Sequence, residues 1–346
     1  MFKDTNVSGL TFESGDETGI TGADGAFTFE DGVPVEFSVG GVSIGSAPGG
    51  PLITPIDLVS GGTSATPQVQ NIVRFLLMLD TDGDPSNGIS ISEAVRTMAE
   101  MWSAVDFTTG DLANVLVTII SDAASVDGTP HMLPDAATAQ THLESTLICT
   151  RSGAFRGTFT GDSGGLLTLV ADGRTGLMGG HVAGLVGSSR MTLSGTMATS
   201  FDGVAQFSSI DPVTGAVFSG QFDGPDDVSG TWTVNGSQGA FTASRRAGAS
   251  NAVYRFTGNF EGDDQGFFAF DVDSENNVTG VGYTPVNDAQ FSLPGTVSGT
   301  TLDVTASDGT EIDGTLDMGN GDLSGTWDLA SHGFDGTFDG SGCRLN

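Results

Sequence analysis

The feature that most constrains the fold of this chain is an internal duplication in its C-terminal part. Four short strings recur in the same order about one hundred residues further on. Each copy holds about eight short runs in which apolar and polar residues alternate, separated by Gly, Asp or Asn. This predicts an antiparallel meander in each repeat, 151–248 and 249–346, closed as a β-barrel or folded as a sandwich. The matched strings begin at Phe155 and Phe256, Leu193 and Leu293, Ser229 and Ser324, and Gly239 and Gly336.

The rest of the chain divides into a β-like part and a helical part. Residues 1–62 contain short alternating runs between turns rich in Gly and Asp, which predicts a small β module. Residues 63–150 carry apolar residues at helical spacing in four segments, and Thr66-Pro67 is a typical helix start. We therefore predict a multidomain, mainly β protein with a four-helix module between its β parts.

An acidic loop lies between the first two predicted helices. Asp80, Asp82 and Asp84 alternate, and the loop resembles the calcium loop of an EF-hand with two extra residues. Glu93 stands where the closing glutamate of such a loop belongs, and Asn87 supplies a further oxygen. Calcium prefers six to eight hard oxygen ligands, so these five side chains predict a structural calcium site within the helical module. The alternative is a solvated acidic turn without a metal.

The charge balance is strongly acidic. The chain has 346 residues with 43 acids against 11 bases, a formal net charge of -32, and Lys3 is its single lysine. Such a surface is typical of proteins adapted to high salt, where self-repulsion is screened. The alternative is an acidic secreted protein that carries calcium. Nucleic acid is excluded as a partner because no basic patch could contact phosphates. The longest apolar run, 72–79, is too short for a transmembrane segment.

Two cysteines, Cys149 and Cys343, flank the duplicated region. An even count in a Gly-rich, acidic chain predicts one disulfide bond and an oxidising compartment, and the alternative is two buried free thiols. We expect an extracellular or outer-membrane-surface location, although Met1-Phe-Lys-Asp-Thr5 lacks the apolar core of a signal peptide.

No catalytic residues can be assigned from the sequence. The string 161–165, Gly-Asp-Ser-Gly-Gly, is the one around the nucleophile of chymotrypsin-like proteases, but its duplicate at 262–266 reads Gly-Asp-Asp-Gln-Gly. The position therefore behaves as a turn, and no histidine string of a protease precedes it. The histidines are scattered and we interpret them as structural: His131, His142, His181 and His332.

Residues 7–148 resemble the N-terminal module of secreted proteins and lipoproteins of Gram-negative, often marine, bacteria. The resemblance implies a surface or extracellular location and names no activity. The acidic-loop string is its most specific part. The matching strings are Val7-Ser-Gly-Leu, Gly22-Ala-Asp-Gly-Ala-Phe-Thr-Phe, Val35-Glu-Phe-Ser-Val-Gly, Ile53-Thr-Pro-Ile-Asp-Leu and Leu79-Asp-Thr-Asp-Gly-Asp-Pro-Ser-Asn-Gly-Ile.

The sequence therefore favours an extracellular, calcium-stabilised surface or secreted protein with a binding or structural role, including adhesion or self-association. Its partners would be an extracellular ligand or surface, or further copies of itself. The alternative is a secreted hydrolase acting on an extracellular polymer or ester, since acids are abundant enough to supply a two-carboxylate site. A pocket with a perturbed acid or histidine at its base would favour the hydrolase.

Overall fold

The computed structural model describes residues 1–50, 52–184, 190–197, 206–210, 214–223, 226–246, 252–284 and 289–345. Contacts divide the chain into two compact units. The first comprises Met1–Thr146, and the second comprises the described parts of Leu147–Thr199 and Val204–Leu345. The predicted boundaries near residues 62, 150 and 248 stay predictions.

The first unit combines six short strands with helices. A four-stranded antiparallel sheet has the order β3-β2-β4-β5, and β1 pairs in parallel with β6. The strands are β1 (Val7–Ser8), β2 (Thr11–Ser14), β3 (Glu17–Ile20), β4 (Pro34–Val39), β5 (Val42–Pro48) and β6 (Ile89–Ser90). The helices are α1 (Pro67–Met78), α2 (Glu93–Ala99), α3 (Leu112–Val115), α4 (Val117–Asp127) and α5 (Ala136–Thr150), of which the last continues into the second unit.

One hydrophobic core joins the strands of this unit to its helices. Phe37 of β4, Ile72 and Leu76 of α1, Val95 of α2 and Ala123 of α4 belong to a single buried cluster. The predicted four-helix module is therefore not confirmed, because the helices bury their apolar faces against the sheet as well as against one another. No helix in the described part of the chain is long and apolar enough to cross a membrane.

The second unit begins with a closed, eight-stranded antiparallel barrel, here called the first barrel. Each strand pairs with its neighbours in sequence, and β14 pairs with β7 to close the ring. The predicted barrel is thus confirmed for this repeat. Its strands are β7 (Gly153–Gly161), β8 (Gly165–Ala171), β9 (Leu177–Gly184), β10 (Arg190–Met197), β11 (Gln206–Ile210), β12 (Val217–Phe222), β13 (Asp227–Val234) and β14 (Ser237–Arg246).

The second repeat forms a nine-stranded antiparallel sheet, here called the second sheet. It follows the same path, with β23 paired to β15 and an additional pairing of β16 with β17. Where β10 is continuous, the second sheet has two pieces, β18 and β19, separated by Leu293-Pro294, because proline has no N–H for the ladder. Its strands are β15 (Ala252–Gly262), β16 (Gly266–Asp273), β17 (Asn277–Thr284), β18 (Ala289–Ser292), β19 (Gly295–Ser298), β20 (Thr301–Thr305), β21 (Glu311–Leu316), β22 (Asp322–Leu329) and β23 (Phe334–Arg344).

The register of the strands explains why the pair of matched strings at Gly239 and Gly336 begins with glycine. Trp232 lies opposite Gly239 in the first barrel, and Trp327 lies opposite Gly336 in the second sheet. A Cβ on either glycine would collide with the neighbouring indole nitrogen. Each indole N–H instead donates to a backbone carbonyl two strands away, at 3.0 Å to Thr160 of β7 and at 3.2 Å to Glu261 of β15, so both Trp side chains are buried and satisfied.

The predicted disulfide bond is present. Cys149, near the end of α5, is bonded to Cys343 in β23, and their Cα atoms lie 5.8 Å apart. Beside the bond, Arg245 and Arg255 both donate to the carbonyl of Ser152. These contacts and the disulfide fasten the start of the first barrel to the second sheet.

Candidate functional site: a cavity in the second sheet and an acidic loop

A cavity of about 80 Å³ lies inside the second sheet. Its walls are formed by the inward-facing residues of several strands and are mostly apolar. A water molecule inside it would therefore find few hydrogen-bond partners. An eight-stranded antiparallel barrel is just wide enough to be filled by side chains or to hold one small ligand. The walls include Phe260, Phe268, Phe291, Leu302, Trp327 and Phe338.

One of the inward positions that differ between the two repeats lies beside the cavity. Phe218 pairs with Trp232 in the first barrel, and Ile312 pairs with Trp327 at the equivalent place in the second sheet. The Phe218 ring stacks on Trp232 with ring centroids 6.3 Å apart, and it also contacts Phe241. An isoleucine side chain is smaller than a phenylalanine ring and leaves part of this space open.

The cavity opens at the end of the sheet where strands β15 and β20 turn. Asp264 lies in the turn between β15 and β16, and Asp308 in the turn between β20 and β21, and both line the cavity. Phe334 lines it as well, at the start of β23, with 41% of its surface exposed. The opening therefore has an aromatic side chain and two carboxylates around an apolar interior.

Hydrogen bonds hold these acids in place. Asp264 Oδ1 accepts from the Thr284 hydroxyl at 2.9 Å and from the backbone N–H of Gln265 at 2.7 Å. Asp308 Oδ1 accepts from the backbone N–H of Thr310 at 3.1 Å. Thr284 and Thr310 are both buried. The carboxylates are thus positioned before any ligand arrives, which reduces the ordering cost of binding.

The acidic loop is the second candidate site. Its backbone is set by side-chain to backbone bonds, since Asp82 accepts from the N–H of Asp84 at 2.9 Å and Asp84 from the N–H of Ser86 at 3.1 Å. The Asn87 amide donates to Asp82 at 3.0 Å. Glu93 is the first residue of α2, directly after the N-cap Ser92. The loop thus lies between α1 and α2, as predicted.

Asp80 is the buried member of this loop. It is only 4% exposed, and its Oδ2 has no hydrogen-bond partner among the described residues, while Oδ1 accepts from the N–H of Ser90 at 2.9 Å. Burial, together with the nearby charges of Asp82 and Asp84, raises the pKa of Asp80 to about 6. An unpartnered buried carboxylate beside two others is the kind of donor that a hard cation would satisfy.

The full predicted ligand set is not assembled in one place. In the described part of the chain, no group of three or more His, Cys, Asp or Glu side chains has the geometry to hold a metal ion. The loop brings Asp80 and Asp82 close together. The carboxylate of Asp84 instead accepts a hydrogen bond from the hydroxyl of Ser86, at 2.6 Å. Whether Asp80, Asp82, Asp84, Asn87 and Glu93 bind calcium stays a prediction.

His131 and His142 do not form a hydrolase triad with the described residues around them. His142 Nε2 lies 3.0 Å from the Thr5 hydroxyl and 3.3 Å from the Asp4 carboxylate, so acid and hydroxyl meet the same ring nitrogen. A triad needs the acid on the other nitrogen, where it orients the ring. His131 contacts the Met78 carbonyl at 2.7 Å and the Asp127 carboxylate at 3.2 Å, with no nucleophile between them.

Comparison with known proteins adds little. No family model and no curated protein matches this sequence. Among solved structures, one that is similar is a crystal structure of a variant of transferrin-binding protein B, a vaccine antigen from Haemophilus parasuis. It shares 9% identity, covers 56% of this chain and 76% of its own, and has a TM-score of 0.23. Similarity at this level supports no inference about fold or function.

Proposed function

We propose that this protein is an extracellular binding protein that takes up a small, largely apolar ligand inside its second sheet. The cavity of about 80 Å³ beside Ile312 carries this proposal, because the equivalent space of the first barrel is occupied by Phe218. Concave, apolar sites with a few fixed polar groups are the usual form of small-molecule sites in proteins.

An extracellular location is part of the proposal. The bond between Cys149 and Cys343 supports it, because structural disulfides persist in oxidising compartments and are rare in the cytosol. A net charge of -32 also favours a protein that stays soluble at high salt.

Calcium binding by the acidic loop is the second part of the proposal. Its role would be structural, because the loop connects α1 and α2 and its β6 residues pair with β1. The unpartnered Oδ2 of Asp80 supports it, since a bound cation would supply the missing partner. The hydrolase alternative stays a prediction.

Ligand uptake can be tested with a neutral alcohol and a substitution that fills the cavity. We expect n-octanol to bind the wild-type protein with a measurable heat, and Ile312→Phe to abolish binding because the added ring fills the cavity as Phe218 fills the first barrel. Ile312→Leu, which keeps the side-chain volume, is the matched control. Equal binding by wild type and Ile312→Phe, with both proteins folded by circular dichroism, would show that the cavity is not the site.

Calcium binding can be tested by thermal melting of the full chain. Binding linkage predicts stabilisation of about 2.7 kcal/mol at a calcium concentration one hundred times the Kd. Asp82→Ala should remove this response, whereas Asp106→Ala, which removes an exposed acid from another turn of the same unit, should retain it. Identical melting in calcium and in chelator, with no calcium detected by native mass spectrometry, would refute this part of the proposal.

A further inference from the structure

We propose that the ligand of the second sheet is an amphiphile with a short apolar end and a positively charged amine head group. This inference rests on the proposed binding function and specifies its ligand. The apolar end would enter the cavity, and the amine would remain at the opening, beside Asp264 and Asp308.

The volume determines how much of the ligand can be buried. Complete drug-sized ligands occupy pockets of about 300–1,000 Å³. An apolar cavity of about 150 Å³ is enough for benzene. The cavity of about 80 Å³ therefore admits the end of an alkyl chain, and the remainder of the molecule must lie at the opening. A ligand held in this way needs a head group that suits the opening.

The opening suits a cation. The described residues that line the cavity include Asp264 and Asp308 but no Lys, Arg or His. Hydrogen bonds between an ammonium group and a carboxylate are stronger than neutral ones. An anionic head group would instead meet two carboxylates and the field of a protein with a net charge of -32. A fatty-acid carboxylate is therefore disfavoured at this site.

Asp264 is also specific to the second repeat. The register of the sheets aligns Asp264 with Ser163 of the first barrel. The neighbouring Asp263 has an acidic equivalent, Asp162, and each of those two caps a backbone N–H. The acid that caps this turn thus occurs in both repeats, whereas Asp264, which lines the cavity, occurs only in the second repeat.

The test compares three ligands of equal chain length: n-octylamine, n-octanol and n-octanoate. At low ionic strength, titration calorimetry should show the amine binding about tenfold tighter than the alcohol, the usual gain from a charged hydrogen bond. Octanoate should bind more weakly than either. The amine preference should shrink as salt is added, because the opening is exposed to solvent.

Two double variants separate the opening from the overall charge. Asp264→Asn with Asp308→Asn should remove the amine preference, so that octylamine and octanol bind this variant with similar affinity, since an asparagine oxygen can still accept from Thr284. Asp303→Asn with Asp313→Asn is the control, because it removes the same charge from exposed positions on the outer face of the sheet.

The outcomes are distinct. Octanol binding that Ile312→Phe abolishes, without an amine preference, would overturn this inference and leave the proposed function in place. An amine preference that persists in Asp264→Asn with Asp308→Asn would also overturn it. Octylamine binding that Ile312→Phe does not affect would identify adsorption to the acidic surface and overturn it as well. Absence of binding by all three ligands would overturn the proposed function itself.

Discussion

The first barrel and the second sheet follow the same path of strands but have different interiors. In the first barrel, the Phe218 ring contacts Trp232 and Phe241. In the second sheet, Ile312 takes that place beside Trp327, and a cavity is present. The backbone ladder therefore does not decide the packed volume of such a sheet, because the inward side chains do.

The outer faces differ as well. The register places Asp303 opposite Asp313 in the second sheet, and Ser208 opposite Ser219 at the equivalent position of the first barrel. Like charges directly opposite each other on neighbouring strands destabilise a sheet. The second sheet thus carries both the open interior and the less favourable surface, and it also carries the cysteine that ties the end of the chain.

The largest expected effect on stability comes from removing the disulfide bond. Replacing Cys149 and Cys343 by serine should cost roughly 4–5 kcal/mol on loop-entropy models for so long a loop, measured by denaturant unfolding. The second sheet should suffer most, because Cys343 lies in its last strand, β23. Hydrogen exchange should accelerate at the end of β23 and remain unchanged at the end of β14, its counterpart. Equal changes at both strand ends would mean that the bond does not distinguish the two repeats.

The pH dependence of stability should differ between the first unit and the two repeats. Asp4 is fully buried with no hydrogen bond to its carboxylate among the described residues, and burial raises its pKa from 3.8 to about 6, although His142 opposes the shift. The folded state therefore binds an extra proton between these values, so the contribution of Asp4 to stability is greatest below pH 3.8 and falls as the pH rises to about 6. The slope is at most about 1.4 kcal/mol per pH unit.

Asp4→Asn should reduce this dependence in the first unit, where Asp80 also has a raised pKa and retains its own share. Hydrogen exchange around Trp102 follows the change, and exchange around Trp232 and Trp327 should stay as in the wild type. A wild-type slope retained in the variant would assign the effect to another group.

A reciprocal swap tests the interior difference directly. Phe218→Ile should open a cavity in the first barrel and cost about 1–3 kcal/mol, less than the 3–5 kcal/mol typical of Phe→Ala. Ile312→Phe should fill the second cavity and leave stability unchanged or raised. Thermal melting measures both, and the double swap shows whether they act independently. Destabilisation by Ile312→Phe comparable to that of Phe218→Ile would mean that the backbone, and not this side chain, sets the two volumes.

The smallest expected effect concerns the outer face. Replacing Asp303 and Asp313 by serine should stabilise the second sheet by about 0.2–1 kcal/mol at low salt. The gain should vanish in molar salt, where screening acts within about 3 Å. This comparison also tests adaptation to high salt. A gain that is independent of salt would argue that the acids are unfavourable for reasons other than repulsion.

Sequence alone accounted for much of the second unit and for little of its site. Alternating runs and turn residues predicted the strands, and the order of the matched strings predicted two repeats of one meander. The cavity could not be predicted, because its residues come from strands that are distant in sequence. In the sequence Ile312 looks like any inward-facing residue, and only the register of the strands shows that it lies opposite Trp327. The acids at the opening, Asp264 and Asp308, look like ordinary turn residues in the sequence, because the strands around the cavity are distant from one another along the chain.

The first unit shows the same limit at a larger scale. The string Thr66-Pro67 predicted the start of α1 correctly, because a proline at the first helical position acts locally. Helical periodicity could not show that α1 and α2 share one core with β4, since an apolar stripe does not specify which surface covers it.

The sequence by itself determined the local features of this protein: the period of its strands, the acidic loop and a cysteine at each end of the duplicated region. These follow from backbone preferences and from chemistry within a few residues. Tertiary structure alone decided that Asp4 is buried beside His142, 138 residues away, and that Asp264 and Asp308 line one cavity of the second sheet. Packing over long separations selects among side chains that look alike in sequence, because burial and volume depend on what lies opposite each one.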